Sequence, residues 1–357
     1  MRILGIETSC DETAAAIVEC TNVASRKILA NIVWSQIDEH EKFGGVVPEL
    51  AARAHVEKLD GIIQQALKEA KLNLQDIDAI AASAGPGLVG GLMIGVITAK
   101  AIAMSLQKPF IAINHLEAHA LTARLTHNVA YPYLLLLVSG GHTQLLIIEK
   151  LGKYIRLGST IDDALGEAFD KTAKLMGVSY PGGAKIEKYA QSGDPYKYNL
   201  PRPLKNRADL NFSFSGLKTA VRNIISDQPL NDTIRSDISA SFQLAICDIL
   251  ETKVAKAIEY FKEHYPNYQP KLVIAGGVAA NNKIRETLRA LSERYNCEFI
   301  VPEAKLCTDN AAMVAWAGLE HFKAGHSSSL NFSIKARWPL DTIAEPLVGT
   351  GRKGAKV

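Results

Sequence analysis

The stretch INHLEAHALTARL (113–125) holds two histidines four residues apart, His115 and His119, directly after an apolar run. FIAIN (110–114) reads as a strand, and Asn114 as the N-cap of a helix behind it. On that helix the two imidazoles stand one turn apart on one face, a spacing at which both can hold one transition metal. The glutamate between them is out of register for a metalloprotease. In H-E-x-x-H the acid follows the first histidine and reaches metal-bound water. Glu117 comes two residues after His115, roughly 200° around the helix, and points away.

A metal needs a third ligand. LCTDNAAMVAWAGLEHF (306–322) offers Asp309 at the mouth of an alanine-rich helix. There it could cap its own helix, or it could meet the histidines across a cleft. The second arrangement gives two histidines and one carboxylate with open positions, a set suited to iron(II) or zinc.

Glycine turns are the second chemical signal. In VSGGH (138–142) the glycines of a hairpin turn let backbone N–H groups approach an anion, and AGGVAAN (275–281) is another bare-backbone turn, ending in Asn281. Together they favour a nucleotide or acyl-phosphate ligand. GPGLVG (85–90) formally matches a dinucleotide fingerprint, but no acidic residue ends a strand about 20 residues later. No Walker A sequence is present.

The elements that must position these groups follow a repeated plan. ILGIETSCDETAAAIVE (3–19) is strand, polar turn, strand, and YLLLLVSGGHTQLLIIEK (133–150) repeats it. Each is followed by a strand–glycine–helix unit, at 80–103 and 271–291. The hairpins are about 130 residues apart and the later units about 190, as a duplicated α/β domain with roughly 60 extra residues in its second copy requires. The insertion falls near 158–235. Strands alternating with helices predict mixed or parallel sheets, and two halves with facing glycine turns would form a cleft for a phosphate-bearing ligand.

Bulk properties agree with two globular domains in 357 residues that are 47% apolar and 22% charged. A net charge of +3 permits a nucleic-acid partner without requiring one. The five cysteines form no C-x-x-C pair, which argues against disulfides and a cysteine metal cage and fits a reducing cytosol. MRILGIETSC enters strand-like sequence directly, unlike a signal or transit peptide. Ala79 to Ala99 is uncharged and long enough to span a bilayer. Gly85-Pro86-Gly87 and Gly90-Gly91 instead predict strand, loop and helix with no membrane contact.

ETSCDETAAAIVE, GGVVPELAARAH, SAGPGLVGGLMIG, NHLEAH, LLVSGGHTQL, EAFDKTAKLMGVSYPGGAKIEK, FSFSGLKTAV, IAGGVAANN, CTDNAAMVAWAG and ARWPL, in this order, resemble one family over residues 2–340. It is the universal tRNA adenosine threonylcarbamoyltransferase family, in the form of its bacterial catalytic subunit, once described as a sialoglycoprotein endopeptidase. The resemblance implies duplicated ribonuclease-H-like domains of the actin, Hsp70 and sugar-kinase superfold with a central cleft. It places domains at 1–125 and 130–330, with 305–340 packing back onto the first and a basic tail at 341–357. The implied reaction moves a threonylcarbamoyl group from threonylcarbamoyl-adenylate to the exocyclic amine of the adenosine 3′ of the anticodon, in tRNAs reading codons that begin with A, releasing AMP.

The family's metal ligands fall on His115, His119 and Asp309, with iron(II) the implied metal and zinc the alternative. Its substrate-binding positions fall on Leu137, Val138, Ser139, Gly140, Gly141, Asp170, Gly183, Glu187 and Asn281, and positions tied to activity on Asp11 and Glu12. Archaeal and eukaryotic relatives place a tyrosine where Leu137 stands, so the resemblance is to the bacterial branch. It implies a cytoplasmic enzyme acting with a small paralogous subunit and a P-loop ATPase on the anticodon loop of tRNA. Arg202, Lys205 and Arg207, with Arg352, Lys353 and Lys356 in the tail, are candidate phosphate contacts. The rival readings are an ATPase or sugar-kinase-like enzyme of the same superfold, a metallopeptidase, which Glu117 disfavours, and a non-catalytic scaffold.

Overall fold

The computed structural model describes residues 1–22, 25–227 and 229–345. The chain divides into two units, Met1–Asn128 with Thr308–Leu340, and Val129–Cys307 with Asp341–Val357. Of the candidate phosphate contacts, Arg352, Lys353 and Lys356 lie outside the described residues.

The first unit carries strands β1 (Arg2–Glu7), β2 (Glu12–Asn22), β3 (Ser25–Ser35), β4 (Ala79–Gly85) and β5 (Phe110–Asn114), in the order β3-β2-β1-β4-β5. β1 to β3 run antiparallel, and β4 and β5 add in parallel. Its helices are α1 (Ile37–Glu41), α2 (Pro48–Ala70), α3 (Val89–Leu106) and α4 (His115–His127). The uncharged 79–99 stretch is thus broken at Pro86 into a strand and a helix. β1 is buried along nearly its whole length, as a central strand with both faces covered must be. Leu4, Ile6, Ile17, Leu59, Ile80 and Val96 form the core between sheet and helices.

The second unit repeats the topology. β6 (Tyr133–Val138), β7 (Thr143–Lys150), β8 (Lys153–Ser159), β9 (Lys271–Ala275) and β10 (Glu298–Ile300) form a sheet in the order β10-β9-β6-β7-β8. The first three are again antiparallel and the last two parallel. Each sheet is therefore one hairpin-led ribonuclease-H-like motif, and the two copies identify the fold as the duplicated architecture of actin and the sugar kinases. Between β8 and β9 run α5 (Leu165–Leu175), α6 (Gly182–Ala190), α7 (Ser215–Ser226) and the long α8 (Asp232–His264), while α9 (Asn282–Arg294) and α10 (Ala304–Cys307) flank β10. Phe169, Phe242 and Phe261 pack with Leu134, Leu136 and Ile274 in its core.

The last helix, α11 (Ala311–Lys323), belongs to the first unit. It packs on β1 so closely that a Cβ on Gly5 would sit 2.5 Å from the Ala311 carbonyl oxygen, so only glycine fits there. The main segment of the second unit ends at Cys307. All five cysteines are free.

Candidate functional site

The helix carrying the histidines starts where its sequence demands. The Asn114 side chain accepts from the backbone N–H of Leu116 at 2.9 Å and of Glu117 at 3.4 Å, so α4 begins at His115. His115 and His119 are 7% and 1% exposed. Their rings meet edge to face with centroids 4.8 Å apart. Asp309 reaches both, its Oδ1 lying 2.9 Å from His119 Nε2 and 3.5 Å from His115 Nε2.

Sequence reasoning allowed Asp309 to meet the histidines across a cleft, and also expected 305–340 to pack back onto the first domain. Asp309 lies in the same unit as the histidines, just ahead of the helix that packs on β1. The capping alternative also resolves. α11 is capped by Asn310, whose Oδ1 accepts from Met313 N at 3.1 Å, leaving the Asp309 carboxylate for the imidazoles. Glu117 turns the other way and accepts from His321 Nε2 at 2.9 Å, away from the ligand set, as a non-protease motif requires.

Behind this cluster lies a residue that sequence reasoning missed. Glu7, fully buried at the end of β1, accepts from His115 Nδ1 at 3.0 Å, from Ser83 Oγ at 2.5 Å and from Ser9 N at 2.6 Å. This fixes the His115 tautomer so that Nε2 faces Asp309, the carboxylate–imidazole backing characteristic of metal sites. Burial acts to raise the Glu7 carboxyl, but the adjacent His115 prevails and holds it below its ordinary value. Burial likewise acts to lower His115, and the Glu7 and Asp309 carboxylates outweigh it, lifting its pKa to about 9. An acid ending an otherwise apolar strand was the available signal.

Asp11 ends the β1–β2 turn of the same unit and Glu12 opens β2. Burial, then the charges of Asp309 and Asp11, push Glu12 well above the usual carboxylate range. Cys10 beside them is no nucleophile, because burial and then Asp11 push its thiol well up. The two imidazoles therefore share their surroundings with an excess of carboxylates, charge that a divalent cation neutralises. The three side chains offer ligand atoms within 4.8 Å of one another, two nitrogens and one oxygen. The donor set fits a borderline transition metal.

In the second unit the glycine turn sits where the hairpin predicts. Val138 pairs with Thr143, and Ser139 N donates to the His142 carbonyl at 2.8 Å to close the turn. Gly140 and Gly141 are exposed, and a Cβ on either would meet nothing within 4 Å. Leu137 and Val138 are fully buried in the strand, so they place the turn and present no side chain. The second glycine turn lies against the first. Gly276 has φ +94°, and a Cβ there would stand 2.3 Å from the Val138 carbonyl oxygen.

The remaining expected substrate positions lie in the same unit, and the side chains of Asp170, Glu187 and Asn281 are engaged. Asp170 accepts from Gly182 N at 2.7 Å at the start of α6. Gly183 follows on that helix with open space about its Cα. Glu187 accepts from Asn282 N at 2.7 Å. Asn281 caps α9 through Ile284 N at 3.0 Å and donates to Gln243 Oε1 at 3.0 Å. Two of the basic candidates are similarly committed: Arg202 pairs with Asp248 and Arg207 with Asp209, each at 2.9 Å.

A duplicated actin-type fold bearing a two-histidine, one-aspartate cluster beside buried acids defines the class as a protein of that superfold with a site that could hold a metal ion. Residues 27–316 match the family model described as tRNA N6-adenosine threonylcarbamoyltransferase. The chain is 59% identical over 358 residues to the tRNA N6-adenosine threonylcarbamoyltransferase of Brucella anthropi and 58% identical over 363 residues to that of Bartonella tribocorum, covering all of each chain. The chain belongs to this transferase family. Among solved structures, HypF of T. kodakarensis shares the fold with a TM-score of 0.61 at 15% identity, over 91% of this chain and 48% of that one.

Proposed function

We propose that the transfer of a threonylcarbamoyl group to tRNA adenosine, the activity of this family, is organised in this chain by the His115, His119 and Asp309 cluster. The convergence of these three side chains with Glu7 behind His115 is the observation that carries the reading. His115, His119 and Asp309 would hold iron(II), with zinc as the alternative, and the metal would supply Lewis acidity when bound. Glu7 keeps His115 Nε2 pointed at the cluster, and Asp11 and Glu12 set the local charge. The donor, threonylcarbamoyl-adenylate, is a mixed anhydride, so no enzyme nucleophile is needed; the inert Cys10 agrees with this.

In the second unit, the exposed Gly140 and Gly141 turn receives the adenylate phosphate through backbone N–H groups. The side chains of Asp170, Glu187 and Asn281 hold the neighbouring helix starts in place as caps, and Gly183 leaves open backbone beside them. Attack by the adenosine amine then depends on proximity.

The enzyme works in the cytoplasm with a small paralogous subunit and a P-loop ATPase, acting on the anticodon loop of tRNA. Support for a partner comes from α3, which leaves Val89, Met93, Ile97 and Met104 between 47% and 66% exposed along one face. An apolar stripe of this kind marks a protein contact.

The test is reconstitution. Chain purified without metal is loaded with iron(II) or zinc, and each form is assayed, with the two partners, for transfer from adenylate labelled in its threonine. One metal per chain and faster transfer with iron support the reading. Failure of the wild-type chain to retain either metal overturns it.

A further inference from the structure

We propose that a cavity in the second unit, apart from the glycine turn, receives the sugar–phosphate backbone of the tRNA. Its volume is about 810 Å³, within the roughly 300–1,000 Å³ of sites that hold a nucleotide-sized ligand. It lies between α6, the loop after α5 and the first turns of α8. Lys185, Lys188 and Arg235 line it against a single carboxylate, Asp232, with the hydroxyls of Tyr189, Ser192 and Ser236 between them.

The cations are arranged rather than scattered. Lys185 is held by the Ser179 hydroxyl and by the Tyr180 carbonyl at 3.2 Å. Arg235 donates through Nε to the Met176 carbonyl at 3.0 Å and through one terminal nitrogen to Asp232 at 2.9 Å. A guanidinium has five donors, so its fork keeps more for a phosphate. Ser192 and Ser236 stand 3.1 Å apart, hydroxyl to hydroxyl.

This chemistry suits a ribose–phosphate chain. Cations take the phosphates and hydroxyls reach 2′-OH groups. A free nucleotide needs an apolar slot for its base, and the lining's apolar and aromatic side chains are Val178 and Tyr189. The position is also apt, because α6 carries Gly183 and Glu187 as well as Lys185 and Lys188. Arg202 and Arg207, the expected contacts, are ion-paired elsewhere. The inference rests on the transferase reading, which supplies the RNA.

The test is equilibrium binding of end-labelled unmodified tRNA to the full chain across a salt series. Lys188 is exposed on the helix surface, so Lys188→Glu should leave the fold intact. It should weaken binding roughly three- to tenfold and flatten the slope of log affinity against log salt by about 0.7–0.9. Lys188→Arg should restore both. Asp232→Asn should tighten binding, a gain that misfolding cannot produce. Unchanged affinity and slope in Lys188→Glu overturn the proposal. So does loss of AMP binding with tRNA binding intact, which would make the cavity a free-nucleotide site. If the wild-type chain labels tRNA, a negative result falls on the cavity alone. If it neither binds nor labels tRNA, the transferase reading falls and the cavity proposal with it.

Discussion

Glu7 Oε2 lies 3.0 Å from His115 Nδ1, both groups buried, and this bond, with Ser9 Oγ 3.1 Å from the same nitrogen, turns His115 Nε2 toward Asp309. Loss of such a backing carboxylate typically weakens a metal site 10–100-fold. Glu7→Gln keeps the size of the side chain and should lower metal affinity by about that factor, measured by competition with a chelator, while circular dichroism stays unchanged.

Metal binding should be strongly pH-dependent. His115 in the metal-free chain holds its proton up to about pH 9, and a ligand imidazole must be neutral. Affinity should therefore rise close to tenfold per pH unit between 7 and 9, with about one proton released per metal bound at pH 7, as read by calorimetry in buffers of different ionisation enthalpy. Stability of the metal-free chain runs the opposite way. A histidine raised in the folded state contributes fully below its ordinary value of 6.5 and loses that contribution as pH climbs through about 9. Melting temperature in chelator should fall over this window.

Asp309 and its neighbour Asn310 should separate function from stability. Asn310→Ala removes the α11 cap and should cost about 1 kcal/mol in a urea titration. Asp309→Asn should abolish metal retention and transfer with a much smaller effect on stability. Sequence reasoning set Asp309 with the two histidines but held open its role as a cap. Only the fold shows that the next residue does the capping.

The same limit explains the rest of what the sequence could and could not tell. The duplicated hairpin and strand–glycine–helix units were legible because period and turn residues are local. Asn114 was legible as a cap for the same reason. Glu7 was not, since its partners Ser83 and His115 are 76 and 108 residues away. Nor could spacing reveal that Asp170, Glu187 and Asn281 spend their side chains on helix starts, or that Leu137 is closed off within its strand.

Gly276 marks where the two turns of the second unit touch. At φ +94° and 2.3 Å from the Val138 carbonyl, an alanine must both strain the backbone and push the glycine turn aside. Gly276→Ala should cost at least about 1–3 kcal/mol and weaken binding of the adenylate donor, measured by equilibrium dialysis. Metal retention by the first unit should be unaffected.

The exposed stripe on α3 makes a separable prediction. Met93→Asp with Ile97→Asp should prevent co-purification with the small paralogous subunit, because both side chains are about half exposed and apolar. Melting temperature and metal content of the isolated chain should be preserved.

The most direct test counts threonine label transferred to unmodified tRNA by the chain and its two partners, before chelation, after it, and after iron(II) is returned. His119→Ala is carried alongside. The expected result is transfer that disappears with the metal, returns with it, and stays absent in the variant. Undiminished transfer by metal-free His119→Ala would contradict the assignment of the His115, His119 and Asp309 cluster to the chemistry.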